Sequence, residues 1–122
     1  MPLEINPALD IAYLERVYGD DANIIYLIFD AFLSDCLPRW VVLKSLLEEQ
    51  DLAESASLIH GLKPAFTMSG MSKVKKKVEQ LELLVKSKAE KEVQIALYDE
   101  IDTELEFLVP ILRAEAARLQ SM

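Results

Sequence analysis

Residues 51–86 read DLAESASLIHGLKPAFTMSGMSKVKKKVEQLELLVK, and this stretch decides the fold. Asp51 can cap a helix from Leu52 to about Met68, because its short carboxylate reaches the first free backbone N–H groups. Ser69-Gly70 closes that helix, with Gly70 able to take the left-handed conformation of a helix end. A further helix follows from about Ser72 to Lys86, carrying Val74, Val78, Leu81 and Val85 on one stripe. Two amphipathic helices joined by so short a turn are expected to pack antiparallel.

Successive helical residues rotate by about 100°. On that projection Leu52, Leu58, Ile59, Leu62, Ala65 and Phe66 share one broad stripe, the core face. His60 is the only histidine in the chain and falls just beyond the edge of that stripe. Lys63 lies on the same side within side-chain reach, and Thr67 stands a turn further along. The outward residues around His60 are all small or compact: Ala53, Ala56, Ser57, Gly61 and Pro64. A solvated helix face usually carries long Glu, Lys and Arg side chains. This low-relief apron could let another protein approach His60. A plain helix–helix contact beside an ordinary histidine is the alternative reading of the same residues.

Outward from this stretch the helical pattern continues. Asp10 to about Tyr18 reads as a short first helix, and Gly19-Asp20-Asp21 as a turn. A second helix is expected over roughly 21–35, with Ile24, Ile25, Leu27, Ile28, Ala31 and Phe32 at helical spacing. Pro38 suits the first turn of a third helix. That helix would run to about Glu49, with Val41, Val42, Leu43, Leu46 and Leu47 as its apolar residues. The last helix covers about Glu90 to Leu119, and Pro110 inside it is expected to kink or split it. The expected architecture is all-α, an antiparallel four-helix bundle with the short N-terminal helix as a lid, in one domain over residues 1–122.

Composition narrows the function. The chain has 122 residues, 52% of them hydrophobic and only 3 of them glycine, which suits one helical core. Acidic residues outnumber basic ones by 21 to 13, for a net charge of −8. A nucleic-acid binder needs a basic surface. The only local surplus, Lys73, Lys75, Lys76 and Lys77, points in several directions on a helix and reads as solvated. The single cysteine, Cys36, has no disulfide partner and no metal-ligand spacing. Met1-Pro2-Leu3-Glu4 does not begin a signal peptide. The apolar stretch Ile24 to Leu33 is interrupted by Asp30 and is too short to span a bilayer. A soluble, cytoplasmic, monomeric protein is expected, with neither nucleic acid nor membrane as partner. No Gly-x-x-x-x-Gly-Lys loop or kinase glycine loop is present, so the chain is not expected to use ATP itself.

Read as a string, residues 60–82 carry a recognisable pattern. His60 is followed by Leu62-Lys63, then Gly70, then a helix with Val74 and Val78 that leads to Leu81-Glu82. This resembles the signature of the histidine-phosphotransfer (HPt) family of two-component phosphorelays. The Gly19-Asp20-Asp21 turn, Phe32 in an apolar helix and Asp51 at the start of the histidine helix add to the likeness, which spans about residues 10–110. The chain departs from the family at Pro64, where glycine usually follows the lysine. Proline there leaves the His60 carbonyl without its helical partner and is expected to bend the helix slightly.

The resemblance implies a function. Members of this family take a phosphoryl group from an aspartate on one receiver domain and pass it to another. His60 would be the phosphorylated nucleophile, since neutral imidazole is nucleophilic near physiological pH. Glu82 would hold the far ring nitrogen, as chemotaxis-kinase members of the family do, and an ordinary surface glutamate is the alternative. Lys63 would offset negative charge on the phosphoryl oxygens. Ala53, Ala56, Ser57, Gly61, Pro64 and Thr67 would form the docking apron. The implied partners are response-regulator receiver domains, with a hybrid histidine kinase as a further candidate. No cofactor or metal is assigned to this chain, the magnesium belonging with the receiver's acidic pocket. A non-phosphorylated helical interaction module is the main competing reading. A structural bundle subunit is another, and an extensive apolar outer face on the last helix beyond Pro110 would favour it.

Overall fold

The computed structural model describes residues 3–122, all of whose regular structure is helical. The helices are α1 (Ile11–Tyr18), α2 (Ala22–Ala31), α3 (Leu37–Glu48), α4 (Leu52–Met68), α5 (Ser72–Lys86) and α6 (Lys91–Gln120). A π-turn over Phe32–Cys36 joins α2 to α3. No strand occurs among the described residues. The bundle has four long rods: α2 continued by α3, then α4, α5 and α6. Successive rods connect through short turns and run antiparallel.

Pro38 lies in the first turn of α3 as expected, but the chain does not break before it. Cys36 and Leu37 keep helical dihedrals, and the Leu37 N–H donates to the Phe32 carbonyl in a wider, π-type bond. Proline lacks an N–H and its ring crowds the carbonyl one turn back, and one widened turn is a recognised way for a helix to absorb such a defect. Pro110 likewise fails to split α6, which continues unbroken from Lys91 to Gln120. Pro110 and Glu106 are both exposed, so solvent can satisfy the carbonyl that Pro110 leaves free. The same holds for Pro64, which is exposed within an uninterrupted α4.

The turns explain how the rods reverse. At the end of α3 the Asp51 N–H donates to the Leu46 carbonyl, and at the end of α4 the Met71 N–H donates to the Phe66 carbonyl. At the end of α5 the Ala89 N–H donates to the Leu84 carbonyl. Each is the long-range bond of a helix C-terminal cap with one residue in the left-handed region: Gln50, Gly70 and Lys88. Gly70 is also closely approached by a neighbour. A Cβ there would lie 3.1 Å from Leu14 Cγ and Cδ1, so its position fixes how tightly α1 can close on the bundle.

Helix α1 is tied down at that end. Asp10 caps it by accepting from the Tyr13 N–H. The Asp10 N–H donates to the Gly70 carbonyl at 2.7 Å, and Ser72 Oγ donates to Asp10 Oδ2 at 2.6 Å. The Tyr18 hydroxyl donates to the Met68 carbonyl at 2.9 Å. The lid is thus stitched to the α4–α5 turn rather than merely laid over it.

The core centres on Trp40, stacked on Tyr98 at 4.4 Å between ring centroids and meeting Phe66 edge-on at 5.9 Å. Trp40 Nε1 donates to Asp102 Oδ1 and the Tyr98 hydroxyl donates to the Trp40 carbonyl, so neither polar tip is left dry. Ile59, Leu62 and Phe66 of α4 and Val74, Val78, Leu81 and Val85 of α5 are buried, as the periodicity predicts. Leu52, Leu58 and Ala65 are only half-buried, and Ser55 holds a fully buried position on that stripe. On the first rod Phe29 and Trp40 are buried, while Ile24, Leu27, Val41 and Val42 face outward. Beyond Pro110 the exposed residues of α6 are Arg113, Ala114, Ala117 and Gln120, so no extensive apolar outer face is present there. No helix among the described residues is long and apolar enough to cross a membrane.

Candidate functional site

Helix α4 carries His60 on its outer side because the buried positions Ile59 and Leu62 flank it in sequence and turn it outward. The imidazole side chain is 72% exposed. Helix α5 runs antiparallel beside α4, and Glu82 follows the buried Leu81 on the edge facing α4. The Glu82 side chain is only 7% exposed. A carboxylate so buried needs partners, and it has three. His60 Nδ1 lies 3.2 Å from Oε2, Lys63 Nζ 2.7 Å from Oε1, and Lys86 Nζ 3.5 Å from Oε2.

The electrostatics of Glu82 follow from these contacts. Burial pushes its carboxyl pKa up, but the hydrogen bond and charge of Lys63, with the charge of Lys86, more than offset it and hold it below the usual carboxylate value. Glu82 is therefore ionised at neutral pH and can only accept hydrogen bonds. Its contact with a neutral imidazole requires the proton on Nδ1, which leaves the lone pair on Nε2. Nε2 has no hydrogen-bond partner among the described residues. In a neutral ring the arrangement favours the tautomer with its proton on Nδ1 and Nε2 turned to solvent.

Lys63 is placed differently from a freely solvated lysine. Its side chain is 22% exposed and its ammonium sits on the Glu82 carboxylate. Lys86 was not among the sequence candidates. Its spacing from Glu82, one helical turn on, is the signal that could have singled it out. Arg39 was not a candidate either. It belongs to α3, yet a Cβ built on Gly61 would lie 3.6 Å from Arg39 Nη2, so the guanidinium reaches the residue next to His60. No spacing in the sequence announces a contact between these two helices.

Around His60, Ala53, Ser57, Gly61 and Pro64 are exposed, while Ala56 and Thr67 are half-buried. The small side chains leave the imidazole standing above its surroundings. Of the lysine run, Lys73 and Lys76 are exposed, while Lys75 and Lys77 are half-buried: Lys75 pairs with Glu79, and Lys77 with Glu100 and Glu104 of α6. Cys36 is buried, and burial first of all pushes its thiol pKa up to about 12, which keeps it protonated.

A groove of about 620 Å³ lies elsewhere, between the segment Pro7–Asp10, the start of α5 and the middle of α6. His60, Lys63 and Glu82 do not line it. The chemically distinctive cluster thus lies outside that groove, on an exposed helical face.

Comparison with curated proteins and with solved structures returns no match. A family model does match: the Hpt domain, over residues 28–120. The match takes in the end of α2, the π-turn and all of α3 to α6, with the His60–Glu82–Lys63 cluster inside it. With well over half of the 122 residues matched, this chain belongs to the Hpt domain family.

Proposed function

We propose that the protein is a phosphoryl carrier that relays the group between receiver-domain aspartates through His60. The observation that carries this reading is the exposed imidazole with Nδ1 on the buried Glu82 carboxylate and Nε2 unpartnered. In the transfer, the Nε2 lone pair forms a bond to phosphorus while the P–O bond of an aspartyl phosphate breaks. The bonding pair returns to the aspartate as carboxylate. The ring then carries positive charge, with its proton still on Nδ1, and Glu82 stabilises that charge at 3.2 Å. The reverse step delivers the group to a second aspartate. Lys63 balances the Glu82 carboxylate in the resting state and supports the developing phosphoryl charge from the α5 side.

The docking surface in this reading is the apron of Ala53, Ala56, Ser57, Gly61, Pro64 and Thr67. Its partners are receiver domains, with a hybrid histidine kinase as a possible donor protein, and its setting is the cytoplasm. The chain acts as one monomeric domain over residues 1–122. Any magnesium in the transfer is held by the acidic pocket of the receiver.

The test is labelling by phosphorylated receiver domains. Wild-type protein is expected to gain an acid-labile phosphate, and His60→Gln to gain none while keeping its helical content. Equal labelling of His60→Gln would overturn the assignment. A wild type that binds receivers without accepting phosphate would instead support the non-phosphorylated interaction module.

A further inference from the structure

The transferred phosphoryl group carries negative charge that must be stabilised, and the cations near His60 are not equally free to do so. On the α5 side, Lys63 and Lys86 both rest on Glu82, at 2.7 and 3.5 Å. Lys63 is 22% exposed, whereas Lys86, at 56%, is as open as Arg39 but rests on the buried carboxylate and offers a single ammonium. On the α3 side stands Arg39, whose Nη2 would lie 3.6 Å from a Cβ on Gly61. Its side chain is 47% exposed, and its one ion pair among the described residues is a loose contact of Nη1 with Asp35 at 3.5 Å. Such an exposed pair within one helix holds a side chain weakly. The Nε and Nη2 donors have no acceptor among the described residues.

We propose that Arg39 is a further catalytic residue, whose guanidinium fork binds the phosphoryl oxygens carried on His60 Nε2 from the side opposite Glu82. This inference rests on the phosphoryl-carrier reading above and adds the group that stabilises the transferred charge. A planar fork with two adjacent free donors matches the spacing of phosphoryl oxygens better than a single ammonium. Gly61 has a part in this. With no side chain there, the guanidinium can lie against α4 at the residue next to His60 instead of being lifted off it. The contact distance at Gly61 is ordinary for a methyl group, so alanine leaves the fork in place, whereas a large side chain displaces it.

The chemistry can be followed without a partner protein, using phosphoramidate as the donor. The Nε2 lone pair forms the new N–P bond, the phosphoramidate P–N bond breaks, and its electron pair leaves with ammonia. The Nδ1 proton stays on the ring beside Glu82.

The experiment is a time course of His60 labelling by phosphoramidate, followed by the decay of phospho-His60 after the donor is removed, both read by phosphorus NMR. Arg39→Gln is expected to label at the same residue but about tenfold more slowly, as suits removal of one donor from a partly exposed site. Its phosphohistidine lifetime is expected to change as well. Arg39→Lys is expected to restore part of the rate, because it returns the charge without the fork. Arg113→Gln, which removes an exposed arginine on α6, is expected to match wild type and controls for net charge. Wild-type rate and lifetime in Arg39→Gln overturn this inference alone and leave the carrier reading standing. A wild-type protein that takes no label at His60 overturns both.

Discussion

The C-terminal end of α4 and its middle are built on opposite plans. At its C-terminal end, α1 is stitched to the α4–α5 turn through Asp10, Gly70, Ser72 and Tyr18, and Leu14 is fully buried beneath. Around His60, toward the middle of the same helix, the surface is low and exposed, and its order comes from one buried carboxylate with its ring of partners. The first region fixes shape through hydrogen bonds between α1 and the α4–α5 turn and by filling space. The second fixes one side chain's tautomer and leaves the rest of that side chain free. A helix anchored at one end and open at its centre holds the imidazole in place without enclosing it.

If this division is right, substitutions should separate cleanly by region. The largest loss of stability is expected from Trp40→Ala, which removes the stack on Tyr98, the edge contact with Phe66 and the bond to Asp102. Urea unfolding should show a loss of about 3–5 kcal/mol. Gly70→Ala comes next, at about 1–3 kcal/mol, because it combines a left-handed dihedral with a Cβ 3.1 Å from Leu14. A stability unchanged in Gly70→Ala would mean that α1 is not clamped there.

Glu82→Gln is expected to cost about 1–2 kcal/mol at neutral pH, since it strips charge from a buried carboxylate with charged partners. The pH dependence has a definite sign. The folded pKa of Glu82 lies below its unfolded value, which is about 4.3 for glutamate. Its stabilisation is complete above the unfolded value and is lost as pH falls through the lower, folded one. The gap between wild type and Glu82→Gln should therefore narrow below about pH 4. A gap that stays constant through acid would show that the charge of Glu82 is not what its partners hold. The smallest effect on stability belongs to His60→Gln, within about 0.5 kcal/mol, because the ring is mostly exposed. A large loss there would erase the contrast between the two regions.

The sequence made one of these regions far easier to read than the other. Helices α4 and α5 fall on their expected bounds because Asp51 and Gly70 are strong local signals with a mechanical cause. The junction of α2 and α3 was not legible. Proline near the start of a helix and proline beside a π-turn look the same in a string of letters, and only the Leu37–Phe32 bond distinguishes them. The left-handed residues Gln50 and Lys88 were hidden for a related reason, since neither is a residue that favours that conformation. At the site, helical spacing places His60 and Lys63 on one side. Rotation alone cannot say whether a lysine turns toward its own helix's histidine or toward a carboxylate on the next helix. That choice depends on the register of α4 against α5. The approach of Arg39 depends on the register of α3 against α4, which no local pattern encodes.

The central claim is that Glu82 holds the Nδ1 proton of His60 so that Nε2 is the atom that accepts phosphate. It can be read at atomic level, because the chain has a single histidine. The measurement is nitrogen-15 and phosphorus NMR of imidazole-labelled protein before and after phosphoramidate treatment. The expected result is a proton on Nδ1 in the resting protein and a phosphoryl group on Nε2 in the treated one. A phosphoryl group on Nδ1, or a resting proton on Nε2, would contradict the account.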